Sequence, residues 1–394
     1  MARRKKSHTK ILSFLALILG VAIGFIASIY LQLPASYIIP PVITANSSIA
    51  SVGNIDADVV KSNDLSIHFL ELGNKYTGDC TLIKVGQTEV LIDAGSKASS
   101  IPYIKDYLNR YVEDNLDFVV VTHAHEDHYA GFATNENTDS LFDLFAVDTI
   151  IEFSKTNKTT QNKMYANYIR ERNAEVESGA NLYTVLQCIN NSNSASREYS
   201  LGSGISMQFL YQKFYEEEAH TENDYSVCLQ IVNGEQKYLF TGDLEKEGEE
   251  SLVEHNQSGK KNAGMLSQVE LYKAGHHGSK TSSHNELLEI IKPKNICICC
   301  CAGSSEYTSK NENQFPTQEF IDRVSVYTSN IYVTTLCTDY KSNSFESFNG
   351  TIVYCAKKDG LTISNSWHFS NNSTKLKDSD WFKSNRTLPN NAVA

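Results

Sequence analysis

Residues Leu116-Asp117-Phe118-Val119-Val120-Val121 run directly into Thr122-His123-Ala124-His125-Glu126-Asp127-His128-Tyr129-Ala130-Gly131. A short valine-rich run that ends in polar residues is the pattern of a buried strand delivering a loop to a sheet edge. The loop holds three histidines and two acids within six residues, His123 to His128. Imidazole and carboxylate are natural ligands for zinc and similar divalent ions. In the spacing His-x-His-x-Asp-His, His123 and His125 can face one ion while Asp127 and His128 face another. A tract that is merely rich in histidine has no reason to follow a buried strand, nor to have further candidate ligands downstream. The stretch reads as a metal site.

Around it the chain alternates strands and helices. Upstream, Ile67–Leu72 reads as a strand and Gly73 to Gly78 as a turn. Thr81–Val85 and Glu89–Asp93 form a hairpin about Gly86-Gln87, and Ile101–Val112 has helical spacing. Downstream, strands are expected at Val147–Ile151, Ile205–Leu210, Ser226–Val232, Lys237–Thr241, Glu270–Ala274, Ile296–Cys301, Ile331–Leu336, Thr351–Cys355 and Leu361–Ser364. Helices are expected at Lys163–Arg172, Leu244–His255 and Asn285–Ile291, with a polar loop over Asn190–Ser200. Strand-rich first and second halves point to two stacked sheets.

Of the 394 residues, 41% are hydrophobic and 21% charged, ordinary globular material with one addition. Ile11 to Leu33 carries no charge and is long enough to cross a bilayer, which takes ~20 residues. Residues 1–10 form a basic tail with Arg3, Arg4, Lys5 and Lys6, so the N-terminus is expected in the cytoplasm and the rest outside it. A cleaved signal peptide is the competing reading, but its apolar core is shorter and no Ala-x-Ala site stands out. Residues 34–63 read as a linker, 64–368 as the folded domain, and 369–394 as a loose polar tail. The formal charge is -11, and without the first ten residues 30 basic residues face 46 acidic ones. That balance argues against a general polyanion-binding surface, so an anionic substrate would have to be held by the metals and a local basic rim.

Two later stretches add to the site. Lys237–Thr241 ends in Gly242-Asp243, a carboxylate at a strand end that can bridge two cations. Glu270–Ala274 leads into Gly275-His276-His277-Gly278-Ser279-Lys280-Thr281, a ligand pair followed by hydroxyl, amide and ammonium donors suited to an oxyanion. Walker A spacing is absent, so this is no P-loop. Of nine cysteines, the four in Ile296–Cys301 and Cys80, Cys228 and Cys355 sit in apolar strand contexts, and cysteine here reads as a small buried hydrophobe. None is assigned to the metal.

The order Asp93, His123-x-His125-x-Asp127-His128, Asp243, His276-His277 resembles the metallo-β-lactamase superfamily. Gly78-Asp79, Asn223-Asp224-x-Ser226, Thr241-Gly242-Asp243 and Gly275 to Ser282 resemble the soluble domain of ComEC-type competence DNA-uptake proteins. Teichoic-acid phosphorylcholine esterases have similar strand contexts. The resemblance covers about Leu65 to Trp367 and implies an αββα sandwich of the α/β class, with one or two divalent metals, zinc or manganese, at one edge of the sheets. It implies as metal ligands His123, His125, Asp127, His128, Asp243 and His276 or His277. Asn223 or Asp224 stands, with His220 nearby, where the family's isolated third-motif histidine is missing. Phe315 precedes Pro316 where ComEC-like domains often carry histidine. Asp127 and Asp243 are the expected catalytic carboxylates, Asp93 is expected to hold the metal loop from outside, and Ser279, Lys280 and Thr281 to bind substrate. The function implied is a membrane-anchored extracytoplasmic hydrolase using a metal-bound hydroxide. Its expected substrate is a phosphodiester, DNA or a cell-surface polymer. A lactone or amide hydrolase is the alternative enzyme, and a non-enzymatic surface binding protein the alternative class. No protein partner follows from the sequence.

Overall fold

The computed structural model describes residues 64–113, 115–133, 139–357, 360–365 and 373–393, all within one compact unit, Ser48–Ala394. The expected membrane span, basic tail and linker lie outside the described residues. Among the described residues no helix is long and apolar enough to cross a membrane.

The first sheet takes strands β1 (Leu65–Phe69), β2 (Thr81–Val85), β3 (Thr88–Ile92), β4 (Leu116–Val121), β5 (Val147–Glu152) and β6 (Asn181–Thr184). The second takes β7 (Glu198–Gly202), β8 (Ile205–Leu210), β9 (Cys228–Asn233), β10 (Gln236–Phe240), β11 (Leu271–Lys273), β12 (Ile296–Ala302), β13 (Ile331–Asp339) and β14 (Ser344–Ser347). The chain then returns to the first sheet with β15 (Ile352–Lys357) and β16 (Gly360–Asn365). Each sheet has eight strands, in the orders β16-β15-β1-β2-β3-β4-β5-β6 and β14-β13-β12-β11-β10-β9-β8-β7. Strands β3 to β6 run parallel, as do β10 to β13.

Strand β12 shows why its sequence looks uniformly apolar. Cys297 and Cys299 belong to the core shared with the first sheet, whereas Ile296, Ile298, Cys300 and Ala302 belong to the core under the outer helices. A parallel strand covered on both faces needs small or branched apolar residues at every position. All nine cysteines are free and eight of them are buried, as expected of small core residues. Between the sheets Phe69 stacks on Phe240 with ring centroids 6.2 Å apart, and Tyr332 meets Tyr354 edge-on. Outside the first sheet, Ile104, Leu108 and Tyr168 from helices Ile101–Leu108 and Lys163–Ser178 close its other face. The layers are therefore helix, sheet, sheet, helix.

Several boundaries differ from the sequence reading. The helix expected to reach Val112 ends at Leu108, and the one expected to end at Arg172 continues to Ser178, where Gly179 (φ 128°) stops it. Strands β6, β7 and β14 and the helix Gln318–Val324 escaped notice. The tail is not loose over residues 373–393: Leu376 and Phe382 are buried, and Asp380–Asn385 is a helix capped by Ser379.

Candidate metal centre

Strand β4 ends at Val121, and Asp93 stands just past its parallel neighbour β3, in a left-handed conformation (φ 58°). The Asp93 carboxylate accepts hydrogen bonds from the backbone N–H of Thr122 (2.8 Å) and from Thr122 Oγ1 (2.7 Å). It also accepts one from His128 Nδ1 (2.7 Å), which leaves Nε2 as that ring's lone-pair nitrogen. Asp93, expected to hold the loop from outside, is thus placed on Thr122 and His128 at the root of the loop. Asp243 follows β10 through Gly242, whose φ is 55°. A Cβ at Gly242 would lie 2.8 Å from Ser226 Oγ and 3.1 Å from Thr122, so no other residue fits this turn without displacement.

From the second sheet, β11 leads to His276 and His277, both with positive φ. His277 Nδ1 donates to the Cys299 carbonyl (2.8 Å), so its Nε2 also turns inward. Nε2 of His128 and Nε2 of His277 each lie 3.2 Å from Asp243 Oδ2, and His277 Nε2 lies 3.4 Å from Asp127 Oδ2. One ligand atom from each of Asp127, His128, Asp243 and His277 falls within 4.8 Å of the others. Beside this quartet, His123 Nε2 and His125 Nδ1 are 3.1 Å apart, and the His123 ring lies 4.2 Å from that of His128. His123 and His125 therefore lie together beside Asp127 and His128, and it is His277 rather than His276 that joins the latter pair.

The fit to a divalent cation rests on orphaned atoms. Nε2 of His128, Nε2 of His277 and Oδ1 of Asn223 are buried without a hydrogen-bond partner. The two imidazole nitrogens approach Asp243 but are not aligned with it as hydrogen bonds. Buried polar atoms in folded proteins are rarely left so. Charge points the same way: Asp79, Asp93, Asp127 and Asp243 are all buried, or nearly so, against the single ammonium of Lys273. Burial opposes ionisation of His128 and His277, yet Asp243 and its neighbouring carboxylates outweigh it and draw a proton to each ring, holding both well above the usual histidine range. A divalent cation would take over that positive charge, displacing the Nε2 protons to ligate. Burial likewise opposes the Asp127 carboxylate, and the adjacent His277 and His128 hold it ionised. His123 is pushed well down by burial and by the charge of His128, which keeps it neutral and free to ligate.

The remaining expected residues lie around this centre. Asn223 Nδ2 donates to Glu245 Oε1 (3.1 Å) and reaches His276 Nδ1 (3.4 Å), while its buried Oδ1 is one of the orphans. Asp224 turns elsewhere, accepting from the Glu245 backbone N–H and from Thr221 Oγ1, and burial pushes its carboxyl up to about 6. His220 is exposed. His276 lies at the rim, within reach of Thr281 Oγ1 (3.0 Å) and Glu245 Oε1 (3.3 Å). Ser279 and Thr281 hydroxyls are 3.0 Å apart, whereas exposed Lys280 turns its ammonium to Asn313 Oδ1. Phe315 sits beside the rings of both His276 and His277.

Four residues of the centre were given no role from sequence. Lys273 joins Asp79 and Asp243 in a buried ion pair and donates to the Gly242 carbonyl (3.1 Å). An ammonium at the end of a three-residue buried strand was the available signal. Asp79 Oδ1 lies 3.3 Å from His277 Nδ1. Glu245 gathers Asn223, Thr281 and His276. Tyr307, in a polar loop without pattern, donates its hydroxyl to Asp127 Oδ2 (2.8 Å).

Comparison with known proteins supplies the context. A family described as Anti-Pycsar protein Apyc1 matches residues 71–318, more than half of the chain. Competence protein ComA of Neisseria gonorrhoeae is 26% identical over 270 residues, 68% of this chain and 31% of that protein. ComE operon protein 3 of Bacillus subtilis (strain 168) is 24% identical over 186 residues, 46% of this chain and 20% of that protein. The chain therefore spans about a third or less of these curated relatives. Among solved structures, the metallo-β-lactamase fold protein YhfI from Bacillus subtilis aligns at a TM-score of 0.37 and 11% identity, covering 68% of this chain and 95% of that one.

Proposed function

We propose a phosphodiesterase activity, on the premise that this chain belongs to the Anti-Pycsar protein Apyc1 family and is a ComEC-like member of the metallo-β-lactamase superfamily. The observation that carries the reading is the quartet Asp127, His128, Asp243 and His277, with two inward Nε2 atoms lacking hydrogen-bond partners in a net anionic pocket. In the proposed site these four hold one divalent ion, and His123, His125 and Asn223 offer places for a second. A divalent ion there supplies Lewis-acid charge and makes water acidic enough to act as a nucleophile near neutral pH.

The chain's own groups do the rest. Asp127, fixed by the Tyr307 hydroxyl, and Asp243 orient the attacking water as it adds to phosphorus. The ester P–O bond breaks, and the leaving oxygen departs with a proton as an alcohol. Donors for the phosphoryl oxygens flank the centre: Ser279 and Thr281 on one side, and Lys158 on the other. Lys158 follows Asn157, which Glu222 ties to the first histidine loop by accepting from both Ala124 N–H (3.3 Å) and Asn157 N–H (2.7 Å). In this reading Ile11–Leu33 anchors the domain outside the cytoplasmic membrane, and protease added to intact cells should remove it.

The direct test is the full chain, loaded with zinc or manganese, offered single-stranded DNA, a phosphorylcholine ester and a lactone. Cleavage of a phosphodiester supports the proposal. Turnover of the lactone alone would reduce it to a hydrolase of another substrate class.

A further inference from the structure

The loop Gly303–Pro316 brings two side chains to the metal centre: Tyr307 on Asp127 and Phe315 against His276 and His277. Apart from one short turn, Asn311–Asn313, it has no regular structure. A loop of this length needs contacts from elsewhere to keep one geometry. It is closed at its neck by the bond from Gly303 N–H to the Phe315 carbonyl (2.9 Å).

Both ends of the loop are gripped by the C-terminal segment. At its start Gly303 (φ 83°) lies under the Trp381 indole, so close that a Cβ there would sit 2.2 Å from Nε1. At its end the buried Arg386 guanidinium donates to the carbonyls of Pro316 (2.7 Å), Gln314 (2.7 Å) and Asn311 (3.0 Å), and to that of its own neighbour Asn385 (2.7 Å). Asn385 Oδ1 accepts from Asn311 Nδ2 (2.8 Å), and the Arg386 guanidinium lies 5.0 Å from the Trp381 ring. Charge-assisted bonds from a planar fork fix direction as well as distance, which a lysine could not reproduce. The grip lies beyond residue 318, where the family match ends.

We propose that Trp381 and Arg386 form a clamp that positions the Gly303–Pro316 loop over the metal centre, with Arg386 as its positioning residue. The clamp can be tested on its own, while its catalytic consequence rests on the phosphodiesterase reading. The test compares the zinc-loaded full chain with Arg386→Gln by amide hydrogen exchange. Exchange of residues 303–317 should speed at least about tenfold, while β4, β10 and the His123–His128 loop keep their protection. On bis(p-nitrophenyl) phosphate, kcat/KM should fall about tenfold, with the change carried by KM and zinc content unchanged. Unchanged exchange in 303–317, or acceleration spread through the strands, would overturn the clamp. If Arg386→Gln does not fold, Asn385→Ala removes the bond to Asn311 (2.8 Å) and the one to the Trp381 carbonyl (2.7 Å), leaves the Arg386 fork in place, and should give the same loop-confined pattern at about threefold. A wild-type chain inert toward the diester would remove the proposed substrate, and the exchange result would still decide the clamp.

Discussion

The loop after β4 packs His123, His125, Asp127 and His128 into six residues, whereas the loop after β11 offers His276 and His277, with His284 drawn away to Glu249. The first is fixed from close by: Asp93, at the end of the adjacent parallel strand, binds Thr122 and His128 together. The second is fixed by groups scattered through the chain. Cys299 and Asp79 orient His277, Glu245 takes His276, and Phe315 lies beside both rings. A ligand set written in one motif can be read locally. One whose orientation depends on distant carbonyls and carboxylates cannot, which is why the sequence left His276 and His277 undecided.

The strongest challenge to this comparison is to remove each member of the pair in turn. His277→Ala deletes an inward Nε2 and should lower metal content and cut kcat/KM by more than about 100-fold. His276→Ala, at the rim, should keep its metal and lose less than about tenfold. Elemental analysis with steady-state kinetics distinguishes them, and the reverse order would exchange their roles.

Asp93→Asn tests the close-by support of the first loop. Asparagine cannot accept from Thr122 and His128 together as a carboxylate does, so His128 should lose its fixed orientation. Metal affinity should fall roughly 10–100-fold, read by competition with a chelating dye. An unchanged affinity would mean that the loop holds its own shape.

A histidine away from both loops provides a contrast. His68 is fully buried, its nitrogens meet Tyr107 Oη (2.6 Å) and Ser66 Oγ (2.8 Å), and burial, with the Lys84 charge, takes its pKa down to about 3. The unfolded chain binds a proton at His68 below about pH 6.5 while the folded chain does not until about pH 3. Folding stability should therefore be unaffected above that window and fall as pH drops through it, by up to ~1.4 kcal/mol per pH unit. Urea midpoints for wild type and His68→Gln between pH 7 and 4 should converge on acidification. Parallel curves would show that His68 does not carry this dependence.

The smallest effect concerns which loop meets the phosphate. Lys280 is exposed and bonded to Asn313, while Lys158 is tied to the first loop through Glu222 and Asn157. Lys158→Ala should reduce kcat/KM on a phosphodiester about tenfold, and Lys280→Ala about threefold. The opposite ranking would make Lys280, beside Ser279 and Thr281, the main cationic contact to the phosphate.

The inner strands were legible because parallel strands covered on both faces leave continuous apolar runs, as in β4 and β12. The edges were not. Strands β6, β7 and β14 carry Asn181, Glu198 and Glu346 among half-exposed neighbours, a polarity that protects an edge and hides it from pattern reading. Metal-type residues after strands were visible as chemistry, whereas Tyr307, Glu245 and Arg386 are ordinary polar residues until folding brings them to Asp127, Asn223 and Pro316. The tail looked loose for the same reason, since its polar residues find their partners some seventy positions away.

The central claim is that a divalent ion held by Asp127, His128, Asp243 and His277 is required for phosphodiester cleavage. It is tested most directly by stripping the purified full chain with a chelator and measuring hydrolysis of bis(p-nitrophenyl) phosphate as zinc or manganese is returned. The account predicts that activity disappears on stripping and returns in proportion to metal bound, and that His128→Ala recovers neither. Full activity in the stripped chain, or metal-restored activity undiminished in His128→Ala, would contradict it.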